Sequence, residues 1–126
     1  MTSAEHLGFQ DSTEERKPLY LSRGTADFIH TLTAPDGTPF PNGFTGKILL
    51  YASRAAADET PDTPLATWLP ATVSTTQLVW NVQHGTADGP DAMITAGAGW
   101  YRLYVNFPVV PSDDYLWYFG PVKYRG

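Results

Sequence analysis

The chain has 126 residues, 42% of them hydrophobic and 17% charged, which is too apolar and too weakly charged for the disordered class and fits one domain with one core. Thirteen acidic residues against eight basic ones give a formal net charge of −5, a balance that repels a phosphate backbone and sets nucleic acid aside as a partner. With no cysteine the fold uses neither disulfides nor thiolate metal sites, and 11 Gly with 11 Pro, together above the usual share of roughly 12%, imply many turns and few long helices.

Met1 to Pro18 is a polar arm carrying Glu5, Asp11, Glu14, Glu15, Arg16 and Lys17, with no sustained period and no apolar run of the kind a signal peptide needs. No stretch approaches the ~20 apolar residues of a membrane span, so a non-exported product without membrane insertion is expected. From Leu19 onward the pattern changes to short apolar stretches bounded by turn residues. Leu19 to Leu21 reads as a short strand, Arg23-Gly24 as a break, and Ala26 to Leu32 as a strand with Phe28, His30 and Leu32 on one face. Asp36-Gly37 and Pro41-Asn42-Gly43 mark turns, and Gly46 to Ser53 is a strand with Ile48 and Leu50 facing one way, Leu49 and Tyr51 the other, both faces partly covered.

Ser53 to Pro64 reads as a long loop with one helical turn at Arg54-Ala55-Ala56-Ala57, ended by Pro61 and Pro64. Leu65 to Val73, broken by Pro70, is a poor fit for a central strand, whereas Gln77 to Val82 alternates with Leu78, Trp80 and Val82 inward. Gly85 to Gly99 is a loop rich in Gly, Asp and Ala. Trp100 to Phe107 is the strongest strand, followed by a turn through Pro108 to Asp114, the aromatic strand Tyr115 to Phe119, and a last strand, Val122 to Tyr124. About seven strands at this spacing predict an all-β fold: a single antiparallel, immunoglobulin-like sandwich over residues 19–126, with residues 1–18 as an extended N-terminal arm.

Chemistry is harder to find. His6, His30 and His84 fall in the arm, in an alternating strand and at a loop start, and none stands at a ligand spacing such as His-Glu-x-x-His. A lone strand histidine like His30 reads first as a structural residue. No nucleophile elbow, phosphate loop or dinucleotide fingerprint occurs, because Gly97-Ala98-Gly99 leads into a strand. The carboxylates at Asp58, Glu59 and Asp62, at Asp88 and Asp91, and at Asp113 and Asp114 all fall in expected loops where hydration costs little. Asp88 with Asp91, or Asp113 with Asp114, could offer oxygens to Ca²⁺, but such an ion wants roughly six to eight and no EF-hand-like spacing supplies them. A non-enzyme without cofactor is therefore expected.

The stronger signal is aromatic, 13% of the chain, gathered from Trp100 to Tyr124. If Tyr101, Leu103 and Phe107 fill the core with Tyr115, Trp117 and Phe119, strict alternation puts Trp100, Tyr104 and Tyr118 on the opposite face, with Arg102 beside them. Such a patch suits protein contact or sugar stacking. The candidate interaction residues are therefore Glu15, Arg16 and Lys17 at the root of the arm, and Trp100, Arg102, Tyr104 and Tyr118 on the strands.

Leu21-Ser22-Arg23-Gly24 leading to Asp27-Phe28-Ile29, then Asp36-Gly37-Thr38-Pro39, then Leu78-Val79-Trp80-Asn81-Val82, Trp100-Tyr101-Arg102-Leu103-Tyr104-Val105 and the closing Phe119-Gly120-Pro121-Val122-Lys123 form a recognisable series. Over about Leu19 to Arg125 it resembles the LtfC-like β-sandwich family, small virion proteins of actinobacterial tailed phages. That resemblance implies a non-enzymatic virion component of the tail or the exterior of the head, assembled in the bacterial host cytoplasm, whose partners are other virion proteins and copies of itself. It carries no active-site residues over. The alternative reading is a carbohydrate-binding module for a host surface glycan, with Trp100, Tyr104 and Tyr118 as its stacking platform.

Overall fold

Strands with an apolar residue at every second position can each bury one face, and two sheets bury those faces most fully against each other. The computed structural model of the protein, which describes residues 15–22, 27–34, 38–107 and 113–125, takes that solution. In chain order its elements are β1 (Glu15–Arg16), β2 (Leu19–Ser22), β3 (Phe28–Thr33), β4 (Thr45–Tyr51), α1 (Arg54–Glu59), β5 (Ala66–Trp68), β6 (Thr72–Val73), β7 (Gln77–Val82), α2 (Pro90–Ala96), β8 (Trp100–Phe107) and β9 (Asp113–Arg125). One sheet has the order β1-β9-β8-β4-β5, with β2 also paired to β9, and the other has the order β3-β7-β6.

The inward residues of the two sheets meet in one core. Ile48 and Leu50 from β4, Tyr101, Leu103 and Val105 from β8, and Trp117 from β9 face Leu32, Leu78 and Trp80 from the smaller sheet, all of them buried. Trp80 is fully buried and donates its indole N–H to the Trp68 carbonyl at 2.9 Å, while Trp68 in turn donates to the Asp88 carbonyl at 2.6 Å. Two stacked rings, Phe40 and Phe44, and the Trp117 ring tilted against Phe44 add to the same core.

The strands expected at residues 19–21, 26–32, 46–53, 77–82 and 100–107 are present within a few residues of those bounds. Four features differ. First, the described residues form nine strands instead of about seven, split six and three, and β1 and β2 run parallel to β9, so the larger sheet is mixed instead of wholly antiparallel. Second, the weak segment 65–73 becomes two edge strands, β5 on β4 and β6 on β7, with Leu69-Pro70-Ala71 crossing between the sheets, which is where a proline costs no ladder bond. Third, residues 113–125 form one continuous strand.

The fourth difference is α2, which lies inside the segment read as a loop. Pro90 stands at the first helical position, where a missing N–H costs nothing, and Asp91 is in the first turn. The helix ends at Gly97, whose φ of 80° is left-handed, and the Ala98 N–H closes back on the Met93 carbonyl at 3.0 Å. Its buried Met93 joins the core. α1 is nearer to expectation: Ser53 Oγ accepts the Ala56 N–H at 3.1 Å as an N-cap, and buried Ala57 sits over Tyr51 and Trp100 on the outer face of the larger sheet. The Arg23-Gly24 break, the Asp36-Gly37 turn and the turn after Phe107 lie outside the described residues, as do residues 1–14 of the arm.

Because Trp80 bridges the two sheets, Trp80→Ala is expected to cost about 3–5 kcal/mol with the urea m-value unchanged, a result that equilibrium unfolding followed by fluorescence of the remaining tryptophans would check.

Candidate functional site

The residues at the root of the arm are built into the sandwich. Glu15 and Arg16 pair with Tyr118 and Phe119, and Leu19 to Ser22 pair with Val122 to Arg125, both in parallel. Between the two ladders, Lys17-Pro18 lies opposite Gly120-Pro121. Two prolines facing each other cannot exchange ladder bonds, so the pairing lapses there and other contacts hold the chain. The Lys17 N–H donates to the Phe119 carbonyl at 2.9 Å, and the Tyr101 hydroxyl donates to the Lys17 carbonyl at 2.7 Å. A Cβ on residue 120 would overlap the Lys17 carbonyl oxygen, so glycine is what admits the arm root to β9.

Beneath this crossing lies a cavity of about 180 Å³ between the sheets, with Lys17 to Tyr20 on one side, Phe28 and His30 from β3 on another, and Tyr101, Leu103 and Tyr118 on a third. The Lys17 ammonium stands 5.2 Å from the centre of the Tyr118 ring. Burial first, and the charge of Lys17 second, hold the His30 pKa below its ordinary value of 6.5, so the imidazole is neutral at pH 7.

Of the residues picked out from the sequence, Lys17 and Tyr118 are brought together here, and the backbones of Glu15 and Arg16 adjoin them in β1. The expected outer patch does not form as drawn. Register slips by one between Leu103, which faces Tyr118, and Tyr104, which faces Leu116, and Trp117 is the extra residue of the bulge. Alternation therefore reverses after Trp117: Tyr118 turns inward with Trp117, and Phe119 turns outward onto Trp100, 6.0 Å between ring centres. Trp100 does lie on the outer face but is buried against Tyr51 and Ala57 of α1, with the Arg54 guanidinium 5.5 Å from its ring centre. Arg102 bonds Asp58 of α1. Tyr104 alone of the three rings stays half-exposed on that face, with the Lys47 ammonium 5.8 Å from its centre. Trp100, Tyr104 and Tyr118 thus share no exposed stacking platform.

What sequence reading missed is the neighbourhood of Tyr104. β5 pairs only with Ile48 to Leu50, so among the described residues Thr45 to Lys47 have a strand neighbour on one side alone. Beside them Leu69 is 66% exposed and Val73 52% exposed, and together with Pro70 and Tyr104 they line an open groove of about 420 Å³. The only hint in the sequence was Pro70, which ends β5 early. The loop carboxylates are partly spoken for: Asp91 meets His84 Nδ1 at 3.3 Å, and Asp27 accepts the His84 backbone N–H at 2.9 Å. Among the described residues no group of three or more His, Asp or Glu side chains is placed to hold a metal ion, and no helix is long and apolar enough to cross a membrane.

A family model described as an LtfC-like, beta-sandwich domain matches residues 13–125. The chain belongs to the LtfC-like β-sandwich family. No curated protein and no solved structure matches it. The LtfC-like match takes in β1 and the Lys17-Pro18 crossing as well as the sandwich proper, and it spans both the cavity and the exposed groove.

Gly120→Ala is expected to displace Lys17 and to break the Tyr101 bond to its carbonyl, raising amide exchange at Lys17 strongly. Tyr101→Phe, which removes the hydroxyl that donates to the Lys17 carbonyl, is expected to cost about 0.5–1.5 kcal/mol in urea unfolding.

Proposed function

We propose that this LtfC-like protein is a structural, non-enzymatic subunit of a tailed-phage virion, an accessory component of the tail or of the head exterior. It acts by surface burial against other virion proteins and copies of itself, without a cofactor, and its place is the virion. The observation that carries this reading is the arm root: the N-terminal segment of an LtfC-like domain is built as an added strand, held along β9 by parallel pairing and by a glycine that makes room for it. Strand addition is a general way for one chain to bind another, because main-chain hydrogen bonds supply affinity and alternate side chains supply selection. Arm residues ahead of Glu15 start from that fixed point and dock on a neighbouring subunit.

The groove beside β4 supports the same reading. Leu69 and Val73 are large exposed apolar side chains next to a strand edge that β5 does not cover among the described residues, which in a monomer is an aggregation hazard and in an assembly is a contact. Lys47 and Tyr104 border it with a cation and a ring, the kind of rim an interface uses.

Deleting residues 1–14, which stops short of β1, is expected to lower the number of copies per purified particle several-fold while the isolated protein unfolds at an unchanged temperature. Full incorporation of the truncated chain would remove the arm from the mechanism. Leu69→Asp, at an exposed position where stability should move by no more than about 0.5 kcal/mol, is expected to reduce incorporation in the same assay.

A further inference from the structure

One polar atom beside the arm root is buried without a partner in view. His30 Nε2 is shut off from solvent and has no hydrogen-bond partner among the described residues, and its ring lies between Phe28 and Trp80, with centres 6.4 and 5.9 Å away. Leaving a buried polar group unpaired costs free energy, so a persistent one calls for an explanation. The titratable groups that share its cavity are Lys17 and Tyr20 from the N-terminal segment, Tyr101 from β8 and Tyr118 from β9. Among the described residues no carboxylate lines the cavity, and the charge that acts on the imidazole there is the cation of Lys17.

We propose that His30 is a proton-sensitive latch for the root of the arm: protonation of its imidazole drives residues 15–18 off β9, while β2 stays in place. In the docked state a charged His30 would be both dehydrated and set against Lys17. Both penalties are relieved if Lys17 swings out, because the ammonium leaves and water reaches the ring. The break should fall at Pro18, where the ladder is already interrupted. On its far side Leu19 and Leu21 are 6% and 1% exposed in the core and anchor β2, whereas β1 has two residues.

The sign follows from the direction of the shift. The docked state holds the His30 pKa below 6.5, whereas an opened His30 titrates near that value, so the opened state binds more protons. Docking is complete above about pH 6.5 and weakens as pH falls through and below it. The inference stands whether or not the protein works in a virion, since it concerns only the coupling between His30 and the arm root.

The test is amide hydrogen exchange on the full chain, corrected for intrinsic rates, between about pH 7.5 and about pH 5, the range a histidine spans. Protection of the Lys17 amide is expected to fall about tenfold or more across it, while amides of β2 and β7 hold theirs. His30→Phe and His30→Gln should each flatten the Lys17 profile, and either suffices if the other folds poorly. Lys17→Met, which keeps the stem and removes the charge, should make the profile shallower. An equal fall in both His30 variants would overturn the latch, and so would loss of protection in β7 in step with Lys17, since that is global unfolding.

Discussion

The pairing of residues 15–22 along β9 is the contact on which the rest of the larger sheet depends. β9 is thirteen residues long and rich in apolar and aromatic side chains, and with β8 on one side only it would present a long, sticky edge to every other chain in solution. β1 and β2 cover the part of that edge from Tyr118 to Arg125. Burying Leu19 and Leu21 in the process contributes about 1.5–3 kcal/mol each, more than the few main-chain bonds of so short a ladder, so β2 is the anchor and β1 the weak extension. This division of labour explains why Gly120-Pro121 and Lys17-Pro18 stand opposite each other: the chain is fastened on one side of that gap and only laid down on the other.

The strands that fill the middle of the sandwich were legible because their side chains obey a strict period of two. Leu78 and Trp80, or Tyr101, Leu103 and Val105, can face one core in only one register, and a slip by one residue would put all of them in water. Legibility failed where a local departure from the period decided the outcome. A single bulged residue, Trp117, sent Tyr118 inward and Phe119 outward, and no composition rule places a bulge in advance. α2 was hidden by Gly, Asp and Ala, although Pro90 and Gly97 stood at the start and stop positions of a short helix. The parallel pairing of the arm root carries almost no periodic signal, since two residues cannot show a period, and the glycine that permits it is explained only by a chain segment about a hundred residues away in sequence.

The outer face of the larger sheet shows why aromatic content alone is a poor guide to a binding surface. Tyr51 and Trp100 are apolar on both sides of a β-pair that also carries the core, and the protein resolves this by laying α1 across them, with Ala57 small enough to let the helix approach closely. Arg102 and Arg54 then meet Asp58 from the sheet and from the helix itself, so the charges on this face hold α1 down before they can meet any partner. The Tyr51 hydroxyl, donating to the Pro61 carbonyl at 2.7 Å, ties the following loop to the same spot. What remains for contact is the region α1 does not reach, around Tyr104, Lys47, Leu69 and Val73.

These two regions lie at opposite margins of one sheet. Among the described residues the β9 margin carries β1 and β2 as short parallel edge strands, and the β4 margin leaves Thr45 to Lys47 without a second strand where β5 falls short, so the two edges are unlike. A contact that matched each edge to itself would join groove to groove. A contact that instead sets the β9 margin of one copy against the β4 margin of the next joins different surfaces. Contacts of that kind either close into rings or extend as tubes, according to the rotation between neighbours. On the virion reading this asymmetry suits such repeated contacts, and it arises here from β5, which stops three residues short of the start of β4, and from the two short strands added to β9.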